Sequence, residues 1–280
     1  MTTLDGKALA QKVKERVRQE AAGLPRRPGL AMVLVGEDPA SHVYVRGKSR
    51  DCEQCGIYSE TYDLPEKTTQ TQLLALVEEL NGREDIDGII VELPLPAHLD
   101  ERQVLEAVAP DKDVDCFHPF NAGKLFVGEK GFLPCPPAGI MELLEEYHID
   151  PAGKRAVVVG RSNIVGKPVA MLLLKKDATV TICHSKTEGL AEICRQADIL
   201  VAAVGKRGVL TADMVKEGAV VIDVAMNRDE GGKLCGDLDH ATTAEKAAYL
   251  SPVPGGVGPM TRAVLMENTL FAAKKRQNLL

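Results

Sequence analysis

Tryptophan is absent from this 280-residue chain, and with five phenylalanines and five tyrosines the aromatic share is only 4%. A core without large rings has to be filled by Val, Ile, Leu and Ala, the composition of buried parallel strands and of the helices that cover them. An excess of positive charge is also missing. The 34 Lys and Arg stand against 40 Asp and Glu, a formal charge of −6, which argues against a broad polyanion-binding surface and leaves only local anion pockets. Nucleic acid is therefore not an expected partner. No run of about 18 uncharged apolar residues occurs, so no membrane span is expected. The opening MTTLDGKALAQKVKERV lacks the apolar stretch of a signal peptide and is too acidic and Ser-poor for a transit peptide. Seven cysteines, an odd number without the dense spacing of a small secreted scaffold, predict reduced thiols and a cytoplasmic protein.

At roughly 100–200 residues per domain the length fits two modest domains or one large one. Residues 5–22 carry Leu9, Val13 and Val17 at helical spacing. LAMVLVG (30–36) and GIIVELPLP (88–96) read as buried strands, and helices are predicted over 39–55 and 71–81. The stretch 110–137 packs Pro, Gly, Asp and Asn too densely for a regular element and reads as a loop-rich junction between domains. After a helix at about 138–148, strands are predicted at 156–160, 178–184, 198–205 and 219–225, with helices between them. Such alternation implies parallel pairing and a doubly wound nucleotide-binding domain over about 150–250. A final amphipathic helix, 261–277, is expected to fold back onto the first half.

Gly160, Ser162 and Gly166 lie between a strand and a helix in the spacing G-x-S-x-x-x-G. A glycine turn lets the backbone approach a pyrophosphate, and the helix N-terminus behind it offers free N–H groups and a positive dipole end. Strand-to-helix turns use glycine for structural reasons as well, so the loop gains weight only from its surroundings. An NAD site usually places an acid after the second strand. Here that strand ends in CHSKT (183–187), without a carboxylate, and Arg161 lies in the loop itself. NADP is the predicted cofactor, with Arg161 and Ser185 as contacts to its 2′-phosphate.

Tyr44 and Lys48 are four residues apart, which on a helix places a phenol and an amine on one face. By spacing alone this is more often a surface pair than a catalytic one. In VELPLP (91–96), two prolines end a buried strand and leave Glu92 at its mouth, where open α/β sheets hold their ligands. The plain alternative is a strand-end acid facing water.

Seven segments agree in order with one family: EDPASHVYVRGKSRDCEQCGI (37–57), ELPLP (92–96), PDKDVDCFHPFNAG (110–123), PCPPAGI (134–140), VVGRSNIVGKP (158–168), CHSKT (183–187) and SPVPGGVGPMTRAVLMENT (251–269). Through them nearly the whole chain resembles the bifunctional methylenetetrahydrofolate dehydrogenase/methenyltetrahydrofolate cyclohydrolase family. The resemblance implies an α/β protein of two domains enclosing a cleft. An N-terminal folate-binding catalytic domain would comprise residues 1–140 plus 261–280, and a Rossmann-like parallel-sheet NADP-binding domain 141–260, in a homodimer. It implies oxidation of 5,10-methylenetetrahydrofolate to the 5,10-methenyl cation with NADP, then hydrolysis to 10-formyltetrahydrofolate.

Carried over by the resemblance, Lys48 matches the acid/base lysine of the hydrolytic step and Tyr44 the tyrosine that stacks on the substrate. Asp115 matches the aspartate that binds the pterin ring. Glu92 stands at the strand mouth between Val91 and Leu93, and Pro254, Gly255, Gly256, Val257 and Gly258 match a segment lining the folate pocket. On the cofactor side Gly160, Arg161, Ser162 and Ile164 match the phosphate loop, Ser185 the phosphate contact and Met226 a backbone contact to the nicotinamide half. Hydride transfer asks for positioning, whereas water attack on the cation needs proton transfers for which a lysine is suited.

Three positions depart from the family pattern: Glu92 where Gln is usual, and Cys116 and Ala225 where Gly is common. The last two read as tolerated small-residue changes. A carboxylate beside Lys48 favours its ammonium form, so a dehydrogenase with weak cyclohydrolase activity is the alternative that Glu92 keeps open. A non-catalytic folate- or nucleotide-binding regulator is a rival that Lys48, Tyr44 and Asp115 speak against. Cys52 and Cys55 form a CxxC without a second pair and read as buried thiols, and His118 and His184 have no metal spacing. No metal is assigned.

Overall fold

The apolar run that opens the first half becomes the middle strand of a sheet. In the computed structural model, which describes residues 1–280 apart from the side chain of Ala40, the N-terminal part forms β1 (Thr2–Thr3), α1 (Gly6–Ala22), β2 (Gly29–Val35), α2 (Pro39–Cys55), β3 (Tyr58–Leu64), α3 (Gln70–Gly82), β4 (Gly88–Val91), α4 (Glu101–Ala107) and α5 (Pro119–Val127). There follow α6 (Cys135–Glu146), β5 (Arg155–Val159), α7 (Gly166–Lys175), β6 (Thr179–Cys183), α8 (Leu190–Cys194), β7 (Ile199–Ala202), β8 (Val220–Asp223), β9 (Asn227–Arg228), β10 (Leu234–Cys235), α9 (His240–Thr243), β11 (Tyr249–Leu250) and α10 (Val257–Arg276).

The chain divides into two compact units, Gln11–Leu133 with Arg262–Leu280, and Met1–Ala10 with Pro134–Thr261. In the first, β2 lies between β3 and β4 and is parallel to both. All seven residues of β2 and all four of β4 are buried, as two-sided coverage of a parallel sheet requires. The edge strand β3 mixes exposed and half-buried residues with none fully buried, and the sequence does not announce it, because YSETYDL offers no apolar run. Helix α2 starts where the Asp38 carboxylate accepts the Ser41 N–H, with Pro39 in its first turn, and stops at Gly56 in the left-handed conformation (φ 71°). Within the same unit the tail of α10 is tied down by Asn268, whose amide donates to the carbonyls of Val114 (2.8 Å) and Leu133 (2.9 Å).

The stretch 110–137 is more regular than its composition suggests, since it contains α5 and the start of α6. The Asp113 carboxylate accepts the N–H groups of Phe117 (3.0 Å) and His118 (2.9 Å) and the Asn121 amide (2.8 Å), while Pro119 occupies the first turn, where a missing N–H costs nothing. Gly128 closes α5 with φ 79°. The prolines and glycine that read as breakers are its caps.

The second unit holds a sheet in the order β1-β11-β8-β7-β5-β6, all of whose pairs are parallel. The chain leaves β5 toward β6 on one side and returns to β7 on the other, so the order reverses beside β5. This creates a switch-point crevice at the carboxyl ends of the strands. Residues 1–10 join this unit, because Thr2 and Thr3 pair with Tyr249 and Leu250. A two-residue strand carries no periodicity, and the predicted boundaries had placed this segment with the first half.

Candidate active site

Lys48 sits near the middle of α2, and its Nζ donates to Glu92 Oε1 at 2.6 Å, with the two side chains only 11% and 10% exposed. Glu92 follows β4, held by its N–H to the Val33 carbonyl at 2.9 Å. Burial pushes the Glu92 carboxyl above its usual range and Asp115 adds to this, while the charge and hydrogen bond of Lys48 oppose it. Tyr44 lies one turn before Lys48, and burial raises its phenol against the charges of Arg262 and Lys48. Thus Lys48, Glu92 and Asp115 share one electrostatic neighbourhood with Tyr44. Val91 is buried in the sheet and Leu93 is half-buried beyond it.

Asp115 is reached through a heavily anchored loop. Lys112, fully buried, donates to the carbonyls of Leu80 (2.9 Å) in the last turn of α3 and of Arg83 (2.6 Å) just after it, and its own carbonyl accepts the Ile89 N–H at 2.8 Å. Cys116, next to Asp115, has φ 61°, which explains why glycine suits this position. A side chain there costs roughly 1–2 kcal/mol, offset by burial and by its Sγ–H donating to the Phe132 carbonyl at 3.3 Å. Cys52 and Cys55 are free and buried, and burial pushes both thiols up to about 12, so neither is a reactive thiolate near neutral pH.

In the other unit, β5 is followed by Gly160, whose N–H donates to the Cys183 carbonyl at 2.9 Å and sets the cofactor loop beside the end of β6. Gly160 has φ 135°, and a Cβ there would lie 2.1 Å from the Ala203 carbonyl oxygen. On Gly166 a Cβ would lie 2.2 Å from the Gly160 oxygen. Both positions therefore exclude side chains, leaving a backbone cradle at the start of α7. Ser162 Oγ accepts the N–H groups of Val165 (3.1 Å) and Gly166 (3.2 Å), so it builds the loop from within. Arg161 and Ser185 are exposed just beyond the paired residues Val159 and Cys183, Ile164 is half-buried and Met226 is 46% exposed. The 184–187 turn is closed by the His184 N–H to Thr187 Oγ1 (2.8 Å). With a cradle, an exposed arginine and no acid in that turn, these residues fit a nucleotide carrying a 2′-phosphate.

Pro254–Gly258 belongs to this second unit, with Val257 and Gly258 opening α10. The peptide bonds Leu93–Pro94 and Val253–Pro254 are both cis. Sequence reasoning missed Arg262, whose Nη1 lies 3.3 Å from Asp51 Oδ2 and 2.6 Å from where a Cβ on Gly47 would be, between the positions of Tyr44 and Lys48. It also missed Asp223, which lies unremarked inside the predicted strand 219–225, and Asp237 and His240, which lie in no segment singled out from the sequence. Among the described residues no group of three or more His, Cys, Asp or Glu could hold a metal ion, and no helix is long and apolar enough to cross a membrane.

Comparison with known proteins gives the same order of parts. The family model for the tetrahydrofolate dehydrogenase/cyclohydrolase catalytic domain matches residues 4–115, and that for the NAD(P)-binding domain of the same family matches residues 134–277. The bifunctional protein FolD of Moorella thermoacetica is 58% identical over 275 residues, covering 97% of this chain and 98% of that protein. A crystal structure of the bifunctional enzyme FolD, methylenetetrahydrofolate dehydrogenase/cyclohydrolase, from Campylobacter jejuni superposes with a TM-score of 0.97 at 50% identity, covering 99% of each chain. The Trypanosoma brucei enzyme, solved with NADP cofactor and inhibitor, gives 0.93 at 39% identity, covering 98% of each. This chain belongs to the tetrahydrofolate dehydrogenase/cyclohydrolase family.

Proposed function

We infer that the chain oxidises 5,10-methylenetetrahydrofolate to 5,10-methenyltetrahydrofolate with NADP and hydrolyses the product to 10-formyltetrahydrofolate. The observation that carries this reading is the buried Lys48–Glu92 pair in one unit together with the side-chain-free Gly160–Gly166 cradle in the other, in a chain with family matches to both parts.

NADP, when bound, accepts the hydride. Gly160, Arg161, Ser162 and Ile164 would hold it with Ser185 and Met226, through backbone N–H groups and a guanidinium. For the folate, Tyr44 gives a half-exposed ring to stack on. The Asp115 carboxylate pairs with the amide and amino edge of the pterin, and Val91 and Leu93 line the rest. Oxidation requires only that the donor carbon be oriented, so the chain contributes positioning. Hydrolysis adds water to the cationic carbon and loses one proton before the ring opens to the formyl product. Lys48 Nζ is the group placed to move that proton, with Glu92 as its hydrogen-bond partner. We assign the protein to the cytoplasm as a homodimer.

A spectrophotometric assay tests the reading. Methylenetetrahydrofolate with NADP should give NADPH and methenyl absorbance, with a weaker response to NAD, and isolated methenyl product should decay faster with the protein than without it. Light scattering of the full chain tests the dimer.

A further inference from the structure

Two buried carboxylates at the carboxyl ends of β7 and β8 take no part in the chemistry above. Asp223, the last residue of β8, is fully buried and accepts the N–H groups of Asp237 (3.0 Å) and Leu238 (3.1 Å), and its Oδ2 lies 2.9 Å from His240 Nε2. The segment 236–240 is drawn so close that a Cβ on Gly236 would lie 1.9 Å from Asp223 Oδ2. Asp237, 1% exposed, then reaches outward. Its Oδ2 accepts the N–H groups of Val204 (2.7 Å) and Gly205 (3.1 Å), just past β7, and its Oδ1 accepts the Asn227 side-chain amide (2.9 Å), one residue past Met226.

Those two segments border the cofactor cradle. The carbonyl of Ala203 is the atom that excludes a side chain from Gly160, and Ala203 N–H donates to the Val159 carbonyl at 2.9 Å. One carboxylate thus grips both the backbone behind Gly160 and the residue after Met226. A buried acceptor holding three N–H donors in fixed directions does what a mobile strand-end loop cannot do for itself.

We propose that Asp237 is a positioning residue for NADP, fixing residues 203–205 and 226–227 in the shape that the cofactor meets. The proposal rests on the reading of this unit as the NADP-binding one. It makes a prediction that a merely structural role does not, because hydrolysis of the methenyl substrate consumes water alone and needs no cofactor. Damage confined to these loops should raise the KM for NADP and leave that hydrolysis intact.

The test exchanges the two ends of one hydrogen bond. Asn227→Asp sets a second carboxylate against Asp237 Oδ1, and the KM for NADP should rise about tenfold, the equivalent of ~1.4 kcal/mol. Hydrolysis without NADP should stay within about twofold of the parent. In the double variant Asn227→Asp with Asp237→Asn, the new amide donates to residue 227 and its oxygen still accepts from Val204 and Gly205, so the KM should return to within about threefold. An unmoved KM in Asn227→Asp, a double variant no better than the single, or hydrolysis falling in step with the dehydrogenase overturns the positioning role. Should the single variant not fold, rescue by the double variant decides the matter. Titration of the unaltered protein with NADP comes first. Absence of binding there overturns the proposed function itself, whereas binding with unmoved variants overturns this inference alone.

Discussion

Lys48 and Glu92, 44 residues apart in the chain, meet at 2.6 Å with both side chains about nine-tenths buried. Burial holds the Glu92 carboxyl above the ordinary carboxylate range, so as pH falls it takes up a proton before a surface glutamate does. Below that point Lys48 faces a neutral carboxyl, and above it a carboxylate that favours the ammonium.

The variant Glu92→Gln separates these two regimes. On the proposed mechanism, methenyl hydrolysis by the parent and the variant should coincide at acid pH, where Glu92 is protonated. Near neutral pH the variant should run severalfold faster, because removing the carboxylate takes away the charge that favours the ammonium form of Lys48. Dehydrogenase rates should change little. Identical hydrolysis profiles from acid to alkaline pH would show that the carboxylate has no influence on Lys48.

Arg161 tests the choice of cofactor. Exposed at the head of the loop, it is the cation placed for a 2′-phosphate, and a charge-assisted contact of this kind contributes roughly 1.5–3 kcal/mol. Arg161→Ala should raise the KM for NADP roughly tenfold to hundredfold and leave the KM for NAD nearly unchanged. Parallel losses with both cofactors would mean that the arginine supports the loop and does not read the phosphate.

Lys112 carries a pH signature. Burial, with a smaller contribution from the charge of Arg276, holds its amine down to about 8 against an ordinary 10.5. Between these values the unfolded chain binds more protons than the folded one, so this lysine makes stability rise with pH across the interval, by up to about 1.4 kcal/mol per unit. Below about 8 its effect is flat. Lys112→Met should lack that rise while losing the donor for the Leu80 and Arg83 carbonyls. Denaturant unfolding at about pH 8 and about pH 10 gives the difference between the two proteins, and an equal slope in both would contradict the assignment. On the proposed reading the same variant should raise the KM for folate, since Asp115 lies three residues away.

Much of this architecture was legible because it is local. The runs over β2, β4, β5 and β7 are continuous and apolar, and α2 announces its start with Asp38 and Pro39. What stayed hidden is what other parts of the chain decide. Strand β3 is polar because it is an edge, and α5 exists because Asp113 collects the N–H groups ahead of Pro119. The site divides the same way. Local pattern singled out the Gly160 loop, Lys48 and Glu92, and the resemblance added Asp115, whereas the grip of Asp237 on Val204, Gly205 and Asn227 is made of side-chain bonds spanning 10 to 33 residues. Such bonds leave no period in the sequence. Gly6 belongs with them, since nothing nearby in the chain explains it.

At Gly6 a Cβ would lie 1.9 Å from the Gly256 carbonyl oxygen and 3.1 Å from that of Gly255, and Lys7 N–H donates to the Gly255 oxygen at 3.0 Å. The neighbouring backbone has little freedom to yield, because Gly256 N–H is bonded to the Pro252 carbonyl (2.8 Å) and a Cβ on Gly256 would itself meet that oxygen at 2.7 Å. Gly6→Ala must therefore push residues 255–256 outward, an overpacking cost of about 2–3 kcal/mol and a loss of roughly 4–12 °C in Tm for a chain of this size. The resemblance assigns Pro254–Gly258 to the folate, so the KM for folate should rise in both reactions while that for NADP holds. Gly82→Ala is the control, at the end of α3 with nothing within 4 Å of the added atom. It should leave Tm unchanged or raise it by a degree or two through the unfolded state. If the two variants melt together, the close approach of Gly6 to Gly256 does not constrain this segment.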